Sequence, residues 1–259
     1  MIKSKDKKRK ILLTGATGYI GKRLLPVLVE NGYQVVCCVR DKKRFNPPVS
    51  LRPNLEVIEI DLLKKDSLQN IPKDIEGAYY LVHSMATSKD YEELERESAR
   101  NFREALEKTK VEHVVYLSGI VNESTLSKHL SSRKNVEDEL AQGSYNLTTL
   151  RAGIIIGSGS ASFEIIRDLV EKLPLMVTPV WLKTKCQPIS VSDVLTFLVK
   201  TMFNEKGYNK DFDIGGPDVL SYKEMLLEFA RIRNLNRRIY VVPVMTPKLS
   251  SYWLYFVTS

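Results

Sequence analysis

The chain has 259 residues, 43% of them hydrophobic and 27% charged, with a formal net charge of +8. This is the make-up of an ordinary globular protein, long enough for an α/β domain with a full core. Three cysteines, two of them adjacent at Cys37 and Cys38, exclude a disulfide framework and fit a reducing, cytoplasmic setting.

Residues 1–9 read as a basic leader, with Lys3, Lys5, Lys7, Lys8 and Arg9 opposed only by Asp6. Such a tail can touch nucleic acid or an anionic membrane, but a solvated leader is the preferred reading, and no nucleic-acid partner is expected. The leader lacks the apolar run of a signal peptide. His83, His113 and His129 are scattered and no cysteine flanks them, so no metal site is expected.

Residues 10–40 organise the rest. Ile11–Leu13 is a short apolar run with the pattern of a strand buried on both faces, ending at Thr14-Gly15. Gly15, Gly18 and Gly21 follow at three-residue spacing; Ile20, Leu24, Leu25, Leu28 and Val29 then recur at helical spacing up to Asn31-Gly32. Val35–Val39 is the second strand. A strand–glycine turn–helix–strand unit of this kind binds a dinucleotide: bare backbone N–H groups and the positive end of a helix meet the diphosphate, and any Cβ at the turn would hold it away. Gly15, Thr17, Gly18, Tyr19, Ile20 and Gly21 are the expected cofactor-binding residues of the turn.

TGATGYIG closely resembles the turn of the extended and atypical short-chain dehydrogenase/reductases, and the resemblance covers about residues 9–245. It implies a cofactor-binding half, over residues 10–153, and the alternation of strands with helices joined by right-handed crossovers predicts for it a Rossmann-type doubly wound parallel sheet in the order 3-2-1-4-5-6. A smaller substrate lobe is then expected over 154–259.

Arg40 ends the second strand, where NAD binders hold an acidic residue for the ribose 2′-hydroxyl; Asp41 comes one place too late. An arginine there pairs a 2′-phosphate, so NADP is expected over NAD, against the alternative of a solvated basic loop. Pro47, Pro48 and Pro53 make residues 41–55 a loop, and Leu55–Ile60 is the third strand. By resemblance Asp61, followed by Leu62, lies near the adenine; its other reading is to cap the short helix around Lys65–Gln69. Gly77–His83 is the fourth strand, and its end at His83-Ser84 lies by resemblance against the cofactor's ribose.

A long helix follows over 90–110, with Leu94, Ala99, Phe102 and Leu106 expected on its packed side. Val111–Leu117 is the fifth strand, and Ser118 matches the serine that the family places there to hydrogen-bond a substrate oxygen. Active members carry Tyr-x-x-x-Lys on the next helix, and no tyrosine of this chain has a lysine four residues on. The matching place holds His129 and Arg133 at the same spacing, as candidates for a proton donor and a ribose or phosphate partner. A solvent-facing helix entry is the competing reading.

Asn146–Arg151 is the sixth strand. Beyond it, helices are expected at Phe163–Leu173, from Ser192-Asp193 through Phe203, and from Ser221 to Arg231. Strands are expected at Phe212–Ile214 and Ile239–Val242, with Leu175–Pro179 and Lys185–Pro188 as connecting pieces. Leu249–Val257 is apolar and aromatic but too short to span a bilayer as a helix, so it docks on the domain or belongs to a longer protein, the reading preferred here. The subgroup that this run of motifs resembles usually carries a further C-terminal domain.

Three functions compete: an NADP(H)-dependent reductase of a small carbonyl or sugar-nucleotide-like substrate, a non-catalytic dinucleotide-binding sensor or assembly factor, and a sugar-nucleotide epimerase. The missing Tyr-x-x-x-Lys counts against the first and third. The substrate and the oligomeric state are not legible.

Overall fold

The computed structural model describes residues 8–82, 91–120 and 128–242, the side chains of 128–131 excepted. The chain forms two compact units. One is built from the chain up to Ala152 together with Ser192–Asp213, the other from Gly153–Val191 and the chain from Ile214 on.

In the first unit, strands and helices alternate as β1 (Lys10–Leu13), α1 (Tyr19–Glu30), β2 (Gln34–Val39), β3 (Leu55–Glu59) and β4 (Gly77–Tyr80). Then come α2 (Tyr91–Leu106), β5 (His113–Gly119), α3 (Lys128–Leu140) and β6 (Asn146–Ala152). The second unit holds β7 (Ile155–Ile156), α4 (Ala161–Lys172), β8 (Leu175–Pro179), β9 (Lys185–Cys186) and β10 (Ile189–Ser190). Helix α5 (Val191–Thr201) and strand β11 (Lys210–Ile214) lead back through the first unit, before β12 (Leu220–Ser221), α6 (Tyr222–Ile232) and β13 (Arg238–Val242).

The main sheet runs β11-β6-β5-β4-β1-β2-β3. The expected order is therefore present, with β11 added at the β6 edge. Pairing of β1 with β2 is parallel and sets Leu12 opposite Val36; β1–β4, β2–β3, β4–β5 and β5–β6 are parallel too. A parallel sheet covered on both faces needs continuous apolar strands, and Ile11, Leu12, Leu13, Val35, Val36, Cys37, Val114 and Val115 are all fully buried. Burial pushes the Cys37 thiol up to about 12 and the Cys38 thiol higher still, which leaves both inert.

Three expectations are revised. Glu95, not Leu94, is the buried residue of its turn of α2. Leu175–Pro179 is a strand, because β13 pairs with it in parallel from Arg238 onward. Residues 192–213, expected in the smaller lobe, lie with the sheet. The second unit has its own core, with Leu169, Val170, Met176, Leu226 and Ile239 packed together. Its helix α6 opens on a capping box between Ser221 and Glu224.

The returning segment is fastened by a fully buried histidine. His113 Nδ1 accepts from the Phe203 N–H at 2.9 Å, so the proton sits on Nε2 and points at Thr148 Oγ1, also 2.9 Å away. Thr148 in turn donates to the Gly207 carbonyl. Protonating Nδ1 would oppose it to an N–H donor, and burial already lowers the His113 pKa to about 4.

This predicts acid lability with a definite sign. The folded pKa lies below the unfolded value of 6.5, so the unfolded chain takes the proton first. Stability present above pH 6.5 then falls as the pH drops toward 4, by about 3 kcal/mol for the 2.5-unit gap. In urea unfolding, His113→Gln should be less stable at pH 7 but lose correspondingly less between pH 7 and 4.5. An unchanged slope would remove His113 from the acid response.

Candidate functional site

All the strand ends that matter lie at one edge of the sheet, because β1, β2, β4 and β5 run in parallel. At the end of β1, Thr14 stitches the strand to β4: its N–H and hydroxyl both donate to the Tyr79 carbonyl, and its hydroxyl accepts from the Leu81 N–H. This holds the turn close to β4, and the glycines follow from that closeness.

Gly15 has φ +67°, and a Cβ on it would lie 2.6 Å from the Leu81 carbonyl oxygen. Gly21, in the first turn of α1, sits so near that a Cβ would fall 2.1 Å from the Gly15 carbonyl oxygen. Gly18 is less crowded, with 3.2 Å to that same oxygen. It is the N-cap of α1, where no side chain caps the helix and no acidic residue occupies the first turn. Thr17 and Gly18 are exposed and Tyr19 and Ile20 half-buried. The helix thus presents bare N–H groups and its positive end to solvent, an anion-binding geometry. Arg23 lies 3.9 Å over the Tyr19 ring.

Arg40 follows β2 and is exposed, and no hydrogen bond or ion pair engages it among the described residues. Asp41 is turned to its own backbone and accepts from the Lys43 N–H at 2.8 Å. Asp61 accepts from the Leu63 N–H at 3.1 Å, and its carboxylate lies 4.0 Å from the Lys64 ammonium. It therefore closes the turn before the short 3-10 helix Lys65–Asn70 rather than capping that helix. Leu62 is buried and its carbonyl accepts from the buried Asn101 amide at 2.8 Å, a tie from α2 that sequence reasoning missed.

At the end of β5 the Ser118 side chain is buried, and its oxygen finds no hydrogen-bond partner of ordinary geometry. It lies beside the Tyr116 phenol, whose pKa burial pushes up to about 12 while Ser118 and Arg133 act to lower it. Arg133 is half-buried and reaches back over Gly119: a Cβ there would meet its guanidinium at 2.5 Å. Arg133 thus reaches the end of β5 at Gly119. His129 lies on the backbone of α3 with its side chain outside the described residues; His83 and Ser84 lie wholly outside them.

Helix α3 is seated by buried charge that the sequence reading did not single out. Ser132 donates to Glu95 of α2, Arg103 pairs Glu139 at 3.0 Å, and Arg151 pairs Glu137 at 2.6 Å. The available signal was Arg96, Arg100 and Arg103 at helical spacing on α2, all within 4.0 Å of Glu139.

Residues 15–167, more than half of the chain, match the NAD(P)H-binding family. The chain belongs to that family. It is 24% identical over 225 residues to the chloroplastic divinyl chlorophyllide a 8-vinyl-reductase of Arabidopsis thaliana, covering 80% of this chain and 53% of the reductase. The chain spans about half the length of that relative. It is 23% identical to the photosystem II assembly factor Ycf39 of Trieres chinensis, covering 93% of this chain and 74% of the factor. Among solved structures, a nucleoside-diphosphate-sugar epimerase from Staphylococcus aureus superposes with a TM-score of 0.75 at 15% identity, covering 96% of this chain and 90% of that one.

Among the described residues no group of three or more His, Cys, Asp or Glu is placed to hold a metal ion. No helix there is long and apolar enough to cross a membrane.

The glycines separate two effects. Gly21→Ala gains about 1 kcal/mol of helix propensity, but its Cβ meets backbone that cannot yield, an overpacking cost of roughly 1–3 kcal/mol. Gly18→Ala leaves the fold nearly intact while placing a methyl at the exposed N-terminus of α1, the expected diphosphate side. Thermal melts should fall mainly for Gly21→Ala, and NADPH titrations should weaken at least tenfold for both. A Gly18→Ala protein with unchanged affinity would move the diphosphate away from this turn.

Proposed function

We propose that this chain is an NADP(H)-dependent reductase of a small carbonyl or sugar-nucleotide-like substrate. The observation that carries the cofactor reading is Arg40: an exposed guanidinium with no partner among the described residues at the end of β2, beside an Asp41 occupied with its own turn. That is where the adenosine ribose of a bound dinucleotide lies in this fold, and a free arginine there favours a 2′-phosphate over a bare hydroxyl. The adenine would lie toward Asp61 and Leu62, with His83 and Ser84 toward the ribose.

When bound, the cofactor supplies the hydride. Ser118, buried beside the Tyr116 phenol, is suited to donate to the substrate oxygen. His129 is the proton donor of this reading, since an imidazole passes a proton near neutral pH and the guanidinium of Arg133 does not. The reductase relative acts on a vinyl group of divinyl chlorophyllide a, which supports reduction as the class of chemistry here while leaving this chain's substrate open.

A second reading is a dinucleotide-binding assembly factor without turnover. It is favoured by the likeness to Ycf39 along 93% of this chain and by the missing Tyr-x-x-x-Lys. An epimerase draws only on fold similarity.

Fluorescence titration should find NADPH bound more tightly than NADH. Arg40→Ala should weaken NADPH by about ten- to a hundredfold, the worth of one charged hydrogen-bonded pair, and leave NADH unchanged. An equal loss for both cofactors would remove Arg40 as the 2′-phosphate partner. Consumption of NADPH on a panel of aldehydes, ketones and sugar nucleotides should appear in wild type and fall roughly 10²–10⁴-fold in His129→Ala. Tight NADPH binding with no turnover on any of them would decide for the second reading.

A further inference from the structure

In the second unit, β8 and β13 pair in parallel along their whole length, from Leu175 opposite Arg238 to Pro179 opposite Val242. A pleated strand sends alternate side chains to opposite faces, and here the two faces differ. Met176, Thr178 and Ile239 are at most 8% exposed, and Met176 and Ile239 pack with Val170 of α4 and Leu226 of α6. Leu175, Val177 and Tyr240 alternate with them and are 54%, 45% and 55% exposed. The register sets Tyr240 opposite Val177, two residues on from Leu175, so the three form one patch rather than scattered exposures. Parallel strands are ordinarily covered on both faces, because they are apolar on both. Among the described residues this pair is covered on one.

The chain that follows β13 has a sequence suited to the other face. Residues 243–259 lie outside the described residues, and their pattern is that of a helix with one apolar side. Pro243 cannot donate to a further ladder bond. Thr246-Pro247 is a helix start, a capping hydroxyl followed by a proline at the first helical position. Leu249, Tyr252, Trp253, Phe256 and Val257 then recur at the spacing i, i+3, i+4, i+7 and i+8, with no charged residue among 249–259. A helix over 247–257 is about 17 Å long, the length of a five-residue strand. Residues 243–246 make a connection of ordinary length between a strand and the helix after it.

We infer that residues 247–257 form an amphipathic helix that lies back across the outward face of β8 and β13 and covers Leu175, Val177 and Tyr240. The tether favours this occupant over others. The segment is joined to β13 itself and reaches the face at high effective concentration. A second copy of the chain would find two five-residue strands, far short of the roughly 800 Å² per partner that a stable interface buries. A lipid surface is recognised by several basic residues beside the apolar ones, and Arg238 is the only charge in the two strands.

The test is trypsin cleavage of the whole native chain after Lys248, timed by mass spectrometry as the release of residues 249–259. The rate reads how often the segment leaves its seat. Val177→Asp on the face and Phe256→Ser on the segment should each speed this cut by about ten- to a hundredfold, the worth of one buried apolar side chain. The double variant should be little faster than either, because both remove the same contact. Ser251→Asp, on the opposite side of the helix, should leave the rate unchanged.

A wild-type chain cut as fast as Phe256→Ser overturns the inference. So does an acceleration by Phe256→Ser that Val177→Asp does not share, since the segment would then sit elsewhere. Protection that rises with protein concentration would assign the face to a second copy, and protection that appears only with vesicles of phosphatidylcholine and phosphatidylglycerol would assign the segment to a membrane. Either result overturns it too.

Discussion

The first unit depends on one contact between two stretches of backbone: the start of α1 lies directly on the Gly15 carbonyl. A Cβ on Gly21 would fall 2.1 Å from that oxygen, closer than non-bonded atoms tolerate. The contact sets how near α1 lies to the sheet and aims its uncapped first turn along the end of β1. Thr14 supports it from the other side by fixing β1 to β4 through the Tyr79 carbonyl. The packing of α1 on the sheet and the exposure of its uncapped N–H groups are therefore set by the same few atoms.

Across the same edge the protein manages charge in two ways. Arg40 is left exposed to water, where a guanidinium without a partner among the described residues costs little. Around α3 the charges are buried and matched, and Glu95 and Glu139 are close to fully enclosed. Buried pairs add little net stability against apolar packing, but each leaves a severe penalty if broken. They fix where α3 sits, and through it where Arg133 reaches.

Most of the sheet was legible because each strand carries its own signal: apolar runs ending at Thr14, Arg40 and Ser118, with glycine spacing between the first two. Gly15 and Gly21 were legible as turn glycines because their closeness to backbone leaves no room for a Cβ. What escaped depends on partners far away in sequence. Leu175–Pro179 has no strand signal of its own and becomes one through β13. Glu95 outranks Leu94 for burial because α3 brings Ser132 to it. Asp61 was open between adenine and a helix cap, and only the geometry of Leu63 and Lys64 shows its turn. The roles of His83, Ser84 and the His129 side chain remain outside the described residues.

The return of residues 192–213 to the sheet has a consequence for how the protein is made. β11 borders β6, and Asn209 reaches the Leu147 N–H at 3.1 Å, yet residues 153–191 of the second unit come between them in the chain. On a ribosome, β6 emerges with its outer edge bare and stays so until β11 follows. An unpaired strand edge is a template for the wrong partner, and contacts this distant in sequence form late. The passage between Ala152 and Lys210 is therefore the interval in which this chain is most open to misassembly and to chaperones that recognise exposed strands.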